Sequence, residues 1–250
     1  MRVAGIVLAA GSGSRYGEPK ALVRFGAELL AERAGRLLAE GGCNPVLVVL
    51  GAQADRAEAA LRSAGAALSS PGAALSSSGA ELPSAGAVPR SAGPALPSAG
   101  AELSSEGHAG VRLDTVHNPD WATGIGSSVR AGLAAVPAGV DAAVIALADE
   151  PLVGPEAVRR LVATWRAGLP DGVGAVAATY GGEQRNPVLL TRAVFGAVAG
   201  AALGDRGARV WLRSHPAAVT GVPCDDTGDV LDVDTPADLA VALARAERGE

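Results

Sequence analysis

Three glycines and two cations crowd the ten residues behind the first apolar run. In LAAGSGSRYGEPKAL (residues 8–22), Gly11, Gly13 and Gly17 surround Arg15, and Lys20 follows the last glycine. Glycines let a backbone fold back until several N–H groups converge on one anion. Arginine forks onto phosphate oxygens, and lysine supplies a mobile point charge. A purely structural turn needs neither cation, so the stretch reads as a phosphate cradle. It is not a dinucleotide fingerprint, which needs G-x-G-x-x-G opening directly into a helix; here Gly11-x-Gly13-x-x-x-Gly17 runs into Pro19 and Lys20. Nor is it a Walker loop, which needs Gly-Lys-Ser/Thr.

Carboxylates recur downstream. VIALADEPLV ends an apolar run on Asp149, followed by Glu150 and Pro151. Such an aspartate suits a hard cation, and it lies too far upstream to cap the helix expected from Pro155. VLDVDTPADL (residues 230–239) offers Asp232 and Asp234 as further ligands, or a helix cap from an aspartate or Thr235 ahead of Pro236. In HNPDWATGIGSSVRAGL (residues 117–133), Ser127 and Ser128 suit a helix cap. GDRGARVWL (residues 204–212) places Asp205 beside Arg206, compatible with a surface ion pair. His117 and His215 read as ordinary loop residues.

These residues need a frame to bring them together. Apolar runs at residues 3–9, 45–50, 111–116, 142–147 and 173–179 read as strands buried on both faces. Helical patterns fall between them, at residues 28–40, 53–62, 126–135 and 155–167. The alternation predicts an α/β fold, a doubly wound and mostly parallel sheet with right-handed crossovers. Ligands on such sheets bind beyond the carboxyl ends of the strands, at a switch in strand order. MRVAGIVLAA mimics a short secretory leader, but its single arginine and its run into the glycine turn favour a first strand and a cytoplasmic protein.

Residues 63–106 break the pattern. They repeat in sevens, with glycine at Gly65 and every seventh position to Gly107. A coiled coil needs two apolar seams per heptad, whereas each copy here has one leucine at most and a helix-breaking glycine. The segment is expected to be a disordered, low-complexity insertion at the end of the sheet opposite the ligand, interrupting one domain that spans residues 1–250.

The 250 residues are 48% apolar but only 3% aromatic, so the core rests on Ala, Val and Leu. The net charge of −5, with no basic block, gives no case for nucleic acid or an anionic membrane. Cys43 and Cys224, with three scattered histidines, make neither a disulfide framework nor a zinc set.

The glycine stretch resembles the signature L-A-A-G-x-S/G-x-R-x-G-x-x-K of nucleotidyltransferases with a Rossmann-like, GT-A-type fold. The chain is similar to the MobA-like NTP transferases, and most like the molybdenum cofactor cytidylyltransferases. The resemblance covers nearly everything outside the repeat. It implies catalytic roles for Arg15, Lys20 and Asp149: Arg15 on the triphosphate, Lys20 on the α-phosphate. It assigns nucleotide contacts to Leu8, Ala9, Ala10, Gly11 and Gly13 in the turn, and to Gly124, Ser127 and Ser128 in the segment that closes over the base. Magnesium is expected on Asp149 and on Asp234, the aspartate before Thr-Pro, with Asp232 the alternative. Tyr16 stands where methionine is commoner, and Glu150 replaces Gln or Met before proline. RNPVLL (residues 185–190) and GDRGARVWL (residues 204–212) resemble the acceptor half of these enzymes, with Asn186 in place of a more frequent histidine.

The expected reaction is attack by a substrate phosphate on the α-phosphorus of an NTP. CTP is favoured over GTP because the turn begins Ala-Ala-Gly, and the acceptor is molybdopterin cofactor, destined for a molybdenum hydroxylase or its chaperone. The alternatives are a sugar- or alcohol-phosphate nucleotidyltransferase and a non-catalytic nucleotide-binding escort.

Overall fold

In the computed structural model, the residues described are 1–64, 67–69 and 112–248. The strand–helix alternation read from the sequence is present. In chain order the elements begin β1 (Val3–Leu8), β2 (Arg24–Phe25), β3 (Glu28–Leu29), α1 (Leu30–Glu40), β4 (Val46–Leu50) and α2 (Ala54–Ser63). Then come β5 (Ala67–Ser69), β6 (Arg112–His117), α3 (Ile125–Ala135), β7 (Ala142–Leu147), α4 (Pro155–Ala167) and β8 (Ala175–Tyr180). The chain ends with β9 (Glu183–Thr191), α5 (Phe195–Ala201), α6 (Arg209–Ser214), β10 (Val219–Pro223) and α7 (Pro236–Arg248).

Eight strands form one sheet in the order β10-β8-β9-β7-β1-β4-β6-β5, and β2 and β3 form a separate ribbon. Every pairing in the large sheet is parallel except those of β9, which is antiparallel to both β7 and β8. The chain leaves β1 for β4 on one side and returns to β7 on the other. That reversal puts the loops after β1 and β7 side by side at their carboxyl ends, where an open α/β sheet binds its ligand.

All six residues of β1 are buried. Val3 and Val7 pack with α1, α2, α4 and α7 on one face, through residues such as Leu38, Leu61, Leu161 and Ala242. Ala4, Ile6 and Leu8 pack on the other with α3, α5 and α6, through Leu133, Val198 and Trp211. Cover on both faces is why these strands read as continuous apolar runs. Among the described residues, no helix is long and apolar enough to cross a membrane.

The antiparallel β9 was not legible as a strand, because its first half, Glu183–Asn186, is polar and a proline follows. A signal was present. Gly181 and Gly182, both with positive φ, make the two-residue turn joining β8 to β9, and a Gly-Gly pair between two strand-like runs marks such a hairpin. Residues 63–106 are also more structured at their start than expected: Ser63 closes α2, and Ala67–Ser69 pair with β6 as a parallel edge strand. Edge pairing uses backbone groups, so a small-residue repeat can supply it. Residues 70–106 of the expected insertion lie outside the described residues.

Candidate active site

Beyond Leu8 the backbone turns tightly. The Gly13 carbonyl accepts the N–H groups of Tyr16 (2.9 Å) and Gly17 (2.7 Å). Gly13 has φ +61°, and a Cβ there would lie 1.8 Å from the Glu18 carbonyl oxygen, so only glycine fits. The turn delivers Lys20 to the start of a short 3-10 turn, Lys20–Leu22, where it is buried. Its ammonium donates to the Val233 carbonyl and to Asp234 Oδ1 (2.9 Å), and lies 3.6 Å from Asp149 Oδ2. Arg15, largely exposed, donates to Asp234 Oδ2 at 2.9 Å.

Asp149 follows β7, held at its backbone by the Val233 N–H, which donates to the Asp149 carbonyl (2.8 Å). The same bond fixes the arm carrying Asp232 and Asp234. The cap left open by the sequence falls to Thr235: its hydroxyl accepts the Asp238 N–H, and Asp238 accepts the Thr235 N–H in return (2.8 Å). This reciprocal cap, with Pro236 opening α7, leaves the Asp234 carboxylate free to face the cations.

The electrostatics follow from crowding. Hydrogen bonding to Lys20 holds the Asp234 carboxyl below its ordinary range. Burial raises Asp149 despite Lys20, with the Asp232 charge adding to it. Asp232 is raised by burial and by Asp234. Glu150 is pushed up to about 8 by burial and by Asp232 and Asp149, against an Asn186 hydrogen bond and the Arg209 charge. Burial and mutual repulsion thus hold Asp149, Glu150 and Asp232 toward their neutral forms, the mark of carboxyls crowded beside too little positive charge.

A hard cation would relieve that crowding. Among the described residues no group of three His, Cys, Asp or Glu side chains is arranged as a complete metal site. Two carboxylates are nonetheless poised on one ammonium, and magnesium commonly takes one or two carboxylates with substrate phosphates and water completing its shell. Asp149 and Asp234 fit that donor set.

A cavity of about 290 Å³ opens over the glycine turn. Of the residues expected at the nucleotide, Leu8, Ala9, Ala10, Gly11, Lys20 and Gly124 line it, and so do Ser128 and Asp149. Gly13 does not line it but shapes the turn, and Arg15 and Asp234 stand outside it as a pair. Ser127 does not reach it either: its hydroxyl donates to the Gly124 carbonyl (2.8 Å) and accepts from Asn118 Nδ2 (2.8 Å). Asn118 also donates to Ser128 Oγ (3.0 Å), a buried bracket that holds the start of α3.

Trp121, in the segment expected to close over the base, and Asp205, in the segment resembling the acceptor half, also line the cavity, though neither was singled out as a contact. Gly124 is the signal for Asp205, since a Cβ there would lie 2.6 Å from Asp205 Oδ1 and 2.4 Å from the Gly204 backbone. Asp205 and Arg206 do not form the surface pair the sequence allowed; among the described residues neither has an ion pair. His117 pairs with Glu58 (3.3 Å) and His215 stacks on Trp211, which leaves both outside the site. Cys43 and Cys224 are buried and free.

A glycine turn and two carboxylates meet at the switch point of a mostly parallel sheet, a fold shared with nucleotidyltransferases. The MobA-like NTP transferase domain matches residues 5–85 and 85–219, and the chain belongs to that family. It is 30% identical to the nicotine blue oxidoreductase of Paenarthrobacter nicotinovorans, over 93% of this chain and 92% of that protein. Among solved structures it resembles a nucleotidyl transferase from Methanothermobacter thermautotroptrophicus, with 17% identity, a TM-score of 0.68 and coverage of 100% of this chain and 99% of that one. It also resembles Rv0371c from Mycobacterium tuberculosis H37Rv, a protein also solved as a manganese complex. There the identity is 22% and the TM-score 0.65, over 98% of each chain.

Proposed function

We propose that this protein transfers CMP from CTP onto the phosphate of molybdopterin cofactor, releasing pyrophosphate. The observation that carries the reading is Lys20, buried at the foot of a glycine turn between Asp149 and Asp234. In the reaction an acceptor phosphate oxygen bonds to the α-phosphorus, and the bond from that phosphorus to the bridging oxygen of pyrophosphate breaks. No base is required, because a phosphate monoester is already ionised near neutral pH.

The amides of the glycine turn and Arg15 bind the triphosphate, and Lys20 neutralises charge growing on the α-phosphate. Asp149 and Asp234 would hold magnesium, which supplies Lewis-acid charge neutralisation at the phosphates. The manganese complex of the M. tuberculosis neighbour favours a divalent-cation requirement. The reaction belongs to a cytoplasmic enzyme that hands its product to a molybdenum hydroxylase or its chaperone.

A second reading has its own observation: the P. nicotinovorans relative is named an oxidoreductase. In that case the cavity over the glycine turn would serve a redox reaction in place of nucleotide transfer.

Pyrophosphate release should be measured with each NTP, magnesium and molybdopterin cofactor. Release with CTP and the pterin supports the proposal. Release only with sugar or alcohol phosphates removes the pterin. CTP binding that survives Asp149→Ala, with no release under any condition, indicates an escort module. Oxidation of a reduced nicotinamide by a quinone dye, without release, moves the protein to the second reading.

A further inference from the structure

A second cavity adjoins the nucleotide cavity and shares Leu8, Ile125, Leu147 and Asp205 with it. At about 560 Å³ it is the larger of the two. Its floor is apolar, built by Val129 of α3 and by Ile145 and Leu147 of β7. Three arginines stand over that floor. Arg209 faces the charges of Glu150 and Asp232, so its charge is answered within the protein. Arg206 and Arg213 have neither an ion pair nor a hydrogen bond among the described residues.

Polar groups of Asn186, Asp205 and Ser214 line the wall, but a hydroxyl buried unpaired against the floor itself would cost free energy. A flat ring system fits such a floor, and guanidinium groups stack on aromatic faces as well as forking onto anions. The phosphate that reacts must sit near Lys20, on the other side of the shared neck. The charges of Arg206 and Arg213 therefore remain for a different anionic group. We infer that Arg206 and Arg213 bind a second anionic group on a flat, apolar-bodied acceptor, and so select acceptors that carry one. The inference rests on the transfer reading for the word acceptor, but the site itself can be tested without turnover.

The probes are 8-anilinonaphthalene-1-sulfonate, a flat anion, and N-phenyl-1-naphthylamine, its neutral counterpart, with binding followed by fluorescence. The expected result is saturable one-site binding of the anion that weakens about tenfold or more in the Arg206→Gln/Arg213→Gln variant, the loss expected when charge-assisted hydrogen bonds are removed. The neutral dye should bind both proteins alike, which also shows that the variant is folded. Lys20→Met should leave anion binding unchanged, and inorganic pyrophosphate should not displace the dye. Equal anion binding by wild type and variant overturns the inference, as does displacement by pyrophosphate. Equal loss of the neutral dye overturns it too. Should dye binding fail while CTP still yields pyrophosphate, the inference falls and the transfer reading stands. The reverse pattern removes the transfer reading alone.

Discussion

The Lys20 ammonium and the Asp234 carboxylate lie 2.9 Å apart across 214 residues of sequence, and Asp234 takes Arg15 on its other oxygen. On the proposed function, the two cations that bind phosphate are committed, before nucleotide arrives, to a carboxylate that holds magnesium. A triphosphate with its divalent cation exchanges both partnerships at once, so the two ligands should bind cooperatively.

Asp234→Asn separates these roles. Without magnesium it should tighten CTP binding several-fold, because Arg15 and Lys20 lose their internal partner. Magnesium should then improve affinity far less than in wild type. Titration calorimetry with and without magnesium checks both. Weaker metal-free binding in the variant would contradict the exchange.

Lys20→Met should lower kcat by roughly 10²–10³-fold, the range found when one donor to a developing charge is removed. KM for CTP should move less, since Arg15 and the turn amides remain. Steady-state kinetics separate the two. An unchanged kcat with a raised KM would make Lys20 a binding residue only.

Gly13→Ala should destabilise the protein and weaken CTP binding together. The φ of +61° and the 1.8 Å approach to the Glu18 carbonyl force the turn to move, and a strained residue of this kind costs on the order of 1–3 kcal/mol. Thermal unfolding and CTP titration measure the two effects.

Glu150 sets a pH dependence in the ligand-free protein. Its folded carboxyl is raised from 4.5 to about 8, so the folded state holds a proton that the unfolded state releases. Its contribution is fully present below about pH 4.5 and is lost as the pH rises to about 8, at up to about 1.4 kcal/mol per pH unit. Glu150→Gln should therefore gain Tm over wild type progressively between pH 5 and pH 8. A constant difference across that window would show that Glu150 is ionised in the fold.

Much of this was legible because the two signals used were local. β1 and β7 are apolar runs ended by chemically distinctive loops, and continuous burial of both faces leaves that pattern in the sequence. The glycine turn was readable for the same reason. Asp234 was singled out by its place before Thr-Pro, but its bond to Lys20 depends on Thr235 and Asp238 capping α7 between themselves. Ser127 and Ser128 are neighbours in sequence and look equivalent. Asn118 donates to both hydroxyls, but that of Ser127 is turned back onto the Gly124 carbonyl, while Ser128 still lines the cavity. β9 was announced only by its Gly-Gly turn, because its polar first half carries no strand periodicity, and the Asp205 wall depends on packing between distant segments.

Transfer of CMP requires attack at the α-phosphorus. It is tested most directly by incubating the protein with magnesium, molybdopterin cofactor and CTP labelled at either the α- or the γ-phosphate. The expected result is α-label in the pterin product and all γ-label leaving as pyrophosphate. CTP recovered intact under these conditions, or γ-label appearing on the acceptor, would contradict it.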